Sequence, residues 1–226
     1  MLAANTNNTI PKIGEGIFLV KDVAKILRLD YSHVRRWILG YWDGHFKRDF
    51  NYTFGEDGNK AINFYSLIEF YIFYKLREQN VSAVEIKKIH ERISEELQTP
   101  YPFALPLDFY VENRKTKTLT WYGYLENLIK TDGKHQISLN FVKPFLKHVD
   151  FDNNLASRYF PLENTKSVVV DPKHQFGQPT ISGTNIQTNT VFGLYQAGET
   201  KSTICKLYDI NLPQVDAAIY YHKLRA

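Results

Sequence analysis

The sequence predicts an α+β protein in three parts: an N-terminal winged helix-turn-helix with long helices, a small central β region, and a C-terminal three-helix, helix-turn-helix-like domain. Three observations predict this. Two short helical patterns near the start are joined by only a few residues. The segment after them alternates apolar and polar residues, which is the period of a strand. Three helical patterns, of which the first and third have N-cap residues, lie at the end of the sequence.

Composition narrows the class of protein. The 226 residues can form one large or two small domains, and the 43% hydrophobic and 15% aromatic content predicts a folded chain. A net charge of +4 is too small to indicate nucleic-acid binding by itself. Cys205 is the only cysteine, which excludes a disulfide framework and a cysteine-based metal site. No signal peptide or membrane-length apolar run is visible, so we expect a cytoplasmic location and no membrane partner.

The chain divides into four segments by composition. We expect residues 1–16, which are small and polar, to be a flexible tail. Residues 17–105 carry the helical patterns of a DNA-binding domain and end in a proline-rich stretch. Residues 106–165 are predicted to be a β-rich connecting or dimerisation region without chemistry of its own. Residues 166–226 form the predicted C-terminal domain.

The second helical pattern is the candidate recognition helix. Asp30 is a suitable N-cap, and Val34, Trp37 and Ile38 have the helical spacing of a buried seam. The side chains left on the other faces are donors or switchable groups: Ser32, His33, Arg35 and Arg36. Such a helix is suited to a DNA groove. The alternative is a helical hairpin that only packs.

A hairpin is predicted after this helix. Residues 50–54 alternate as a strand does, residues 55–59 form a turn, and the return strand begins near Lys60. Lys47, Arg48 and Lys60 would hold phosphates in a wing, positioning the protein without reading base sequence. The alternative is an aromatic-rich hairpin with ordinary solvated lysines.

Two longer helices are predicted next. Residues 64–79 are apolar almost all round, which predicts a buried helix. Ser82 and Glu85 have the spacing of a capping box, with Val81 and Ile86 as its hydrophobic staple. The apolar stripe of this second helix indicates core or dimer packing.

The C-terminal segment contains three predicted helices. We expect Asn189 to cap the first, and Gly198 to end it. The second runs from about residue 202 to 208 with Ile204 and Leu207 buried. The third is capped by Asn211 with Gln214 as its capping-box partner, and buries Val215, Ala218 and Ile219. Its positive charge lies only at its end, which favours a protein partner over DNA.

Catalysis and cofactors are not expected. The seven histidines are scattered, and none has a second ligand at metal spacing, so no metal site is predicted. Ser182 lacks the neighbouring residues of a nucleophile elbow. The loop at 171–186 has no lysine at the spacing of a phosphate-binding P-loop. The sequence therefore predicts neither an enzyme nor a cofactor.

Two segments resemble known families. Residues 18–105, with the Trp37 helix, the wing and the ending Thr99-Pro100-Tyr101-Pro102-Phe103-Ala104, resemble the MerR-like DNA-binding region of certain VapB-type antitoxins. Residues 168–222 resemble the family catalogued as domain of unknown function four-three-three. That resemblance rests on Asp171-Pro172, Gly177-Gln178-Pro179, Ser182-Gly183-Thr184-Asn185-Ile186, Gly198-Glu199, Leu207-Tyr208 and Val215-Asp216-Ala217-Ala218-Ile219. Together in this order the two segments are more specific than either alone.

The resemblance implies the antitoxin of a type II toxin–antitoxin pair. Its toxin would be a PIN-like, metal-dependent ribonuclease, and it would bind its own promoter as a homodimer or a toxin–antitoxin hetero-oligomer. Lys223 and Arg225 are candidates to compete with the toxin's metal, with Tyr221 as packing anchor; solvated terminal charges are the alternative for the first two. The sequence departs from the family at Arg28, where glycine is frequent, and at Asn185, where arginine is frequent. No basic disordered tail is visible.

Two other functions stay open on the sequence. A MerR-like effector-responsive transcriptional regulator would use the aromatic helix at 64–76 to form a ligand pocket. A scaffold protein would show no salt-dependent binding to DNA.

Overall fold

The computed structural model describes residues 12, 14–45, 52–56, 59–113, 118–124, 147–162 and 165–224. The chain forms two compact units. The first unit is drawn from Met1–Asp43, Arg48–Phe64 and Arg158–Ala226, and the second from Gly44–Lys47 and Tyr65–Ser157. Helices and small sheets occur in both, as expected of an α+β protein. The first unit thus joins residues from both predicted terminal domains; the division into four segments stays a prediction.

The N-terminal part of the first unit contains short helices and a small sheet. Its helices are α1 (Val20–Leu27), α2 (Tyr31–Arg36), a π-helical turn (Trp37–Tyr41) and α3 (Trp42–His45). Its strands are β1 (Phe18–Leu19), β2 (Thr53–Phe54) and β3 (Ala61–Ile62). The sheet order is β1-β3-β2, and both neighbours of β3 run antiparallel to it. Three residues connect α1 to α2, as the sequence predicts.

The second unit is built around two helices, α4 (Phe64–Glu78), which begins at the last residue of the first unit, and α5 (Ala83–Glu96). The prediction of a buried α4 is confirmed, since Leu67, Ile68 and Phe70 are fully buried on it. Its strands are β4 (Leu107–Asn113), β5 (Thr118–Tyr124), β6 (Val149–Asp152) and the start of β7 (Leu155–Tyr159), whose last two residues belong to the first unit. They pair as β4 with β5 and β6 with β7.

Ser82 is the N-cap of helix α5, as predicted. The Ser82 hydroxyl accepts a hydrogen bond from the Glu85 N–H at 3.1 Å, and Val81 and Ile86 are buried beside this cap. A side chain at this position satisfies one of the amides that a helix start leaves without a partner.

A buried ionisable pair, which the sequence analysis missed, joins α4 to α5. The Nε2 of His90 lies 2.7 Å from Oε2 of Glu69, and both side chains are inaccessible to solvent. The other carboxylate oxygen of Glu69 accepts the Phe103 N–H at 2.7 Å. Glu69 therefore ties the two helices to the short 3₁₀ turn Pro102–Ala104.

The C-terminal part of the first unit contains two strands, β8 (Val168–Val169) and β9 (Thr180–Ile181), and three helices. The helices are α6 (Thr188–Gln196), α7 (Lys201–Tyr208) and α8 (Leu212–Lys223). Their shared core contains the buried residues Ile181, Val191, Ile204, Ile210, Val215, Ala218 and Ile219. The predicted burial of Val215, Ala218 and Ile219 is confirmed.

Local signals along this segment were predicted with mixed success. Asn211 and Gln214 form the predicted reciprocal capping box at the start of α8. The prediction for Asn189 was wrong, because α6 begins at Thr188 and its N-cap is Gln187, two residues before the predicted cap. Leu207 is 63% exposed rather than buried, since α7 turns Ile204 and not Leu207 toward the core.

The N-terminal and C-terminal parts of the first unit pack against each other. The Ile17 N–H donates to the Phe176 carbonyl at 3.0 Å. The Phe18 ring, which is fully buried, lies against the backbone of Gly177. Strand β1 is therefore held both by its own sheet and by the C-terminal segment.

Candidate nucleic-acid interface and C-terminal surface

Asp30 organises the start of α2. Its carboxylate accepts the His33 N–H at 3.0 Å and the Ser32 hydroxyl, so the predicted N-cap is confirmed. The hydroxyl and amide donors lower the pKa of the Asp30 carboxyl. The cap fixes where α2 begins and hence which side chains face solvent.

The predicted recognition face is exposed. The side chains of Ser32, His33, Arg35 and Arg36 all lie at the surface. Val34 and Ile38 are buried opposite them, as predicted. Trp37 is only half-buried, whereas Trp42, which follows the π-helical turn, is buried. The extra residue of a π-helical turn shifts the helical register and accounts for this exchange.

The predicted phosphate contacts on the wing are less complete. Lys60, just before β3, is half-buried. Lys47 and Arg48 lie outside the described residues, as do the tip of the predicted turn and most of the predicted tail. These residues stay a prediction.

Asp43 joins the end of the α2–α3 helical run to the hairpin. Its Oδ1 accepts the backbone N–H groups of Tyr52, at 2.7 Å, and Thr53, at 3.1 Å, and its other oxygen contacts the Thr53 hydroxyl. The rings of Trp42 and Tyr52 meet edge to face at 6.2 Å. The sequence analysis missed this brace, which holds β2 at a set position relative to the exposed basic face.

Arg28 occupies the turn between α1 and α2. It has a left-handed backbone conformation with φ of 55°, which glycine adopts more readily than a residue with a Cβ. Its guanidinium carbon lies 5.7 Å from the centre of the Tyr221 ring on α8. A cation over an aromatic face is attractive and partly offsets the unfavourable backbone conformation.

The structure changes the predicted toxin contact at the end of α8. Tyr221 is 2% exposed and packs with Leu162, Val168 and Ala217 inside the first unit, so its ring faces its own core rather than a partner. Lys223 is at the surface, with its Nζ 5.1 Å from the centre of the Tyr195 ring. Arg225 lies outside the described residues.

An exposed face of α8 lies beside this core. Leu212, Asp216 and Tyr220 follow each other at four-residue spacing and share one side of the helix. Leu212 is 50% exposed and Tyr220 is 56% exposed. Asp216 pairs with Lys201 of α7 at 2.6 Å. Tyr220, the neighbour of the predicted anchor, is thus the aromatic side chain available to a partner.

His222 occupies a position that its sequence pattern did not reveal. Its Nε2 lies 3.0 Å from the Thr188 hydroxyl, and its ring stacks on Phe192 with 4.7 Å between centres. The Thr188 hydroxyl also donates to the Pro179 carbonyl, which leaves its lone pair to accept from the imidazole. Burial, and to a lesser extent the charge of Lys25, lowers the pKa of His222 to about 4. The imidazole is therefore neutral at pH 7.

Neither a metal-binding cluster nor a membrane-spanning helix is found among the described residues. No group of three or more His, Cys, Asp or Glu side chains is placed to hold a metal ion in those parts of the chain. None of the helices described combines the length and apolar character that a membrane span requires.

Comparison with known families identifies the C-terminal segment. The family model described as "Protein of unknown function (DUF433)" matches residues 168–221, which run from β8 through most of α8. The resemblance stated for this segment is thereby confirmed. The core around Ile204 lies within the matched stretch.

Two individual proteins are similar to this chain. The "Putative antitoxin VapB45" of Mycobacterium tuberculosis (strain ATCC 25618 / H37Rv) is 31% identical over 80 residues, which is 34% of this chain and 34% of the relative. The matched stretch therefore spans about a third of that relative. The crystal structure of Rv2018 from Mycobacterium tuberculosis has a TM-score of 0.63 at 17% identity and covers 89% of this chain and 96% of its own. At that identity the likeness establishes a shared fold.

Proposed function

We propose that this protein is the antitoxin of a type II toxin–antitoxin pair, and that it neutralises a PIN-like ribonuclease in the cytoplasm and represses its own operon. The observation that carries the proposal is the match of the C-terminal segment to the DUF433 family together with similarity to a protein named as an antitoxin. The presence of a basic helix in the same unit supports a regulatory role at DNA.

The DNA-binding step uses the exposed face of α2. Arg35 and Arg36 supply charge-assisted donors, and Ser32 and His33 add shorter groups near the helix start. The buried Val34 and Ile38 anchor the opposite side. Lys47, Arg48 and Lys60 contact phosphates from the wing, and a dimer places two α2 helices in successive major grooves. The fold of the N-terminal part is in this proposal a winged helix-turn-helix.

The toxin-binding step uses the exposed face of α8. Tyr220 replaces the buried Tyr221 as the apolar anchor, and Leu212 extends the surface along the helix. Lys223 and Arg225 approach the carboxylates with which a PIN-like toxin holds its metal. Aromatic anchors flanked by charges are characteristic of protein interfaces.

Co-expression with a PIN-like ribonuclease, if one is encoded beside this gene, tests the antitoxin role in a growth assay. We expect the full chain to restore growth, and a double Tyr220→Ala and Lys223→Glu variant to restore it poorly. Lys173→Glu, at an exposed site away from α8, is the matched control. Point variants are preferable to truncation after Ile219, because truncation would remove the core residue Tyr221. A chain that binds its upstream DNA but leaves the ribonuclease active would be a repressor without antitoxin activity.

A further inference from the structure

A cavity of about 320 Å³ opens within the first unit between α1 and the start of α6. Lys21 and Lys25 of α1 line it from one element, and Thr188 and Asn189 from the other. Tyr221 of α8 also lines it. The cavity brings together a predicted DNA-binding segment and the DUF433-matched segment, and neither the proposed toxin surface nor the basic face of α2 uses it.

The first turn of α6, which lines this cavity, contains a backbone N–H without an acceptor among the described residues. Gln187, the N-cap, places no side chain on the helix amides. The Thr188 N–H donates to the Pro179 carbonyl and the Thr190 N–H to the Gln187 carbonyl. The Asn189 N–H has no acceptor among the described residues. A free amide at the positive end of a helix dipole favours an anion.

An independent feature points to the same ligand chemistry. The Tyr221 hydroxyl is buried and has no hydrogen-bond partner among the described residues. An unsatisfied buried hydroxyl is costly unless a bound ligand accepts a hydrogen bond from it. Burial raises the pKa of Tyr221, so the group stays an O–H donor at neutral pH. Nη2 of Arg28, whose guanidinium lies against the Tyr221 ring, is also buried without a partner.

The charges around the cavity agree with these donors. Lys21 and Lys25 are both cationic, whereas the one carboxylate in the lining, Asp22, accepts the Leu19 N–H at 3.0 Å as part of the α1 cap. His222, also in the lining, contributes no charge at pH 7. Two ammonium groups, a hydroxyl and a helix amide form a donor set suited to an oxyanion with several acceptor oxygens.

We propose that this cavity is a binding site for a phosphate group, held by Lys21, Lys25, the Tyr221 hydroxyl and the Asn189 N–H. Its volume is at the small end of ligand sites, roughly 300–1,000 Å³, and suits a small phosphorylated molecule. Binding would join α1 to α6 and α8, and so would stabilise the first unit.

Thermal unfolding and calorimetry of the full chain test the site, with inorganic phosphate as the probe and chloride at matched ionic strength as the reference. We expect a saturable rise in Tm with phosphate. Lys25→Met should weaken phosphate binding by about tenfold or more, because a charge-assisted bond is lost. Tyr221→Phe should raise the Tm without phosphate, by removing the unpaired hydroxyl, and should reduce the phosphate-induced rise.

Matched controls separate the site from the general stabilising effect of phosphate as a salt. Lys206→Met, at an exposed position on α7, and Tyr220→Phe, at the exposed neighbour of Tyr221, should keep the wild-type response. A phosphate effect that is equal in wild type, Lys25→Met and Tyr221→Phe would overturn the proposal, as would an absence of saturable binding.

A short DNA duplex distinguishes the source of the phosphate. If the duplex leaves phosphate binding unchanged, the natural ligand is a small phosphorylated molecule. If the duplex competes with phosphate and loses affinity in Lys25→Met, the site holds a backbone phosphate of DNA. Both results support a phosphate site, and the variants above decide whether it exists.

Discussion

The N–H of Ile17 donates to the carbonyl of Phe176 at 3.0 Å, which joins the start of strand β1 to the C-terminal segment. Next to this bond, the Phe18 ring lies against Gly177 and is fully buried. The predicted DNA-binding and antitoxin segments therefore share one packed unit. A change at this contact should affect the stability of both.

Gly177→Ala should strongly destabilise the protein. Gly177 has a φ of +83°, and a Cβ there would overlap the buried Phe18 ring. The left-handed backbone costs an alanine roughly 1–2 kcal/mol, and the overlap adds to it. Gly193→Ala is the control: it lies on α6 with open space around it, and should raise the free energy of unfolding by about 0.5–1 kcal/mol. Urea titration measures both. Equal effects would show that Phe18 does not pack on Gly177 in solution.

Glu69→Ala should lower the free energy of unfolding by roughly 3 kcal/mol. The substitution removes the buried acceptor of both the His90 imidazole and the Phe103 N–H. Glu69→Gln keeps one acceptor oxygen and should cost less. Glu95→Ala, exposed on α5, should change the free energy by less than about 0.5 kcal/mol. Unfolding in guanidinium chloride gives these free energies. A Glu69→Ala protein as stable as Glu95→Ala would show that the pair of Glu69 and His90 does not stabilise the fold.

His222 should make stability depend on pH. Its pKa is lowered from 6.5 to about 4 in the folded chain, so between these values the unfolded chain binds a proton that the folded chain does not. The free energy of unfolding is therefore highest above about pH 6.5 and falls as the pH is lowered toward 4. Urea titrations across this range should show a shallower decline for His222→Gln.

Lys206→Gln is the control for this pH series, since it alters an exposed side chain on α7 without removing a histidine. It should keep the wild-type decline. If His222→Gln declines as steeply as wild type, the neutral imidazole does not contribute to folding.

Arg36→Gln should weaken binding to the upstream DNA of the gene. Loss of a phosphate contact makes the dependence of log affinity on log salt shallower by about 0.9, whereas loss of a base contact relaxes sequence preference instead. Fluorescence anisotropy at several salt concentrations measures both. Lys88→Gln, exposed on α5, should leave affinity and slope unchanged. An equal loss of DNA affinity in the two variants would show that the DNA does not bind at the exposed face of α2.

Alanine substitution should affect mainly stability at Tyr221 and mainly inhibition of the ribonuclease at Tyr220. Tyr221→Ala removes a core side chain and should cost roughly 3–5 kcal/mol of unfolding free energy. Tyr220→Ala should cost less than about 1 kcal/mol, because Tyr220 is largely exposed, yet should weaken inhibition of the co-purified ribonuclease. Denaturation and ribonuclease assays measure the two effects. Full inhibition by Tyr220→Ala would remove this face of α8 from the toxin interface.

Much of the local structure follows from short stretches of sequence. The caps at Asp30, Ser82 and Asn211 were predicted because each depends on a side chain and an amide three residues apart. The buried character of α4 was predicted for a similar reason, since its residues are apolar on every side.

The sequence by itself determined the helix starts at Asp30, Ser82 and Asn211, the α+β class and the exposed polar face of α2, because these depend on neighbours within a few residues. Only the tertiary structure decided that Tyr221 faces inward and Tyr220 outward, since either tyrosine fits the sequence of α8. It also decided that Glu69 meets His90 and that Arg28 lies over Tyr221. Such contacts join segments far apart in the chain, and packing, rather than spacing, selects them.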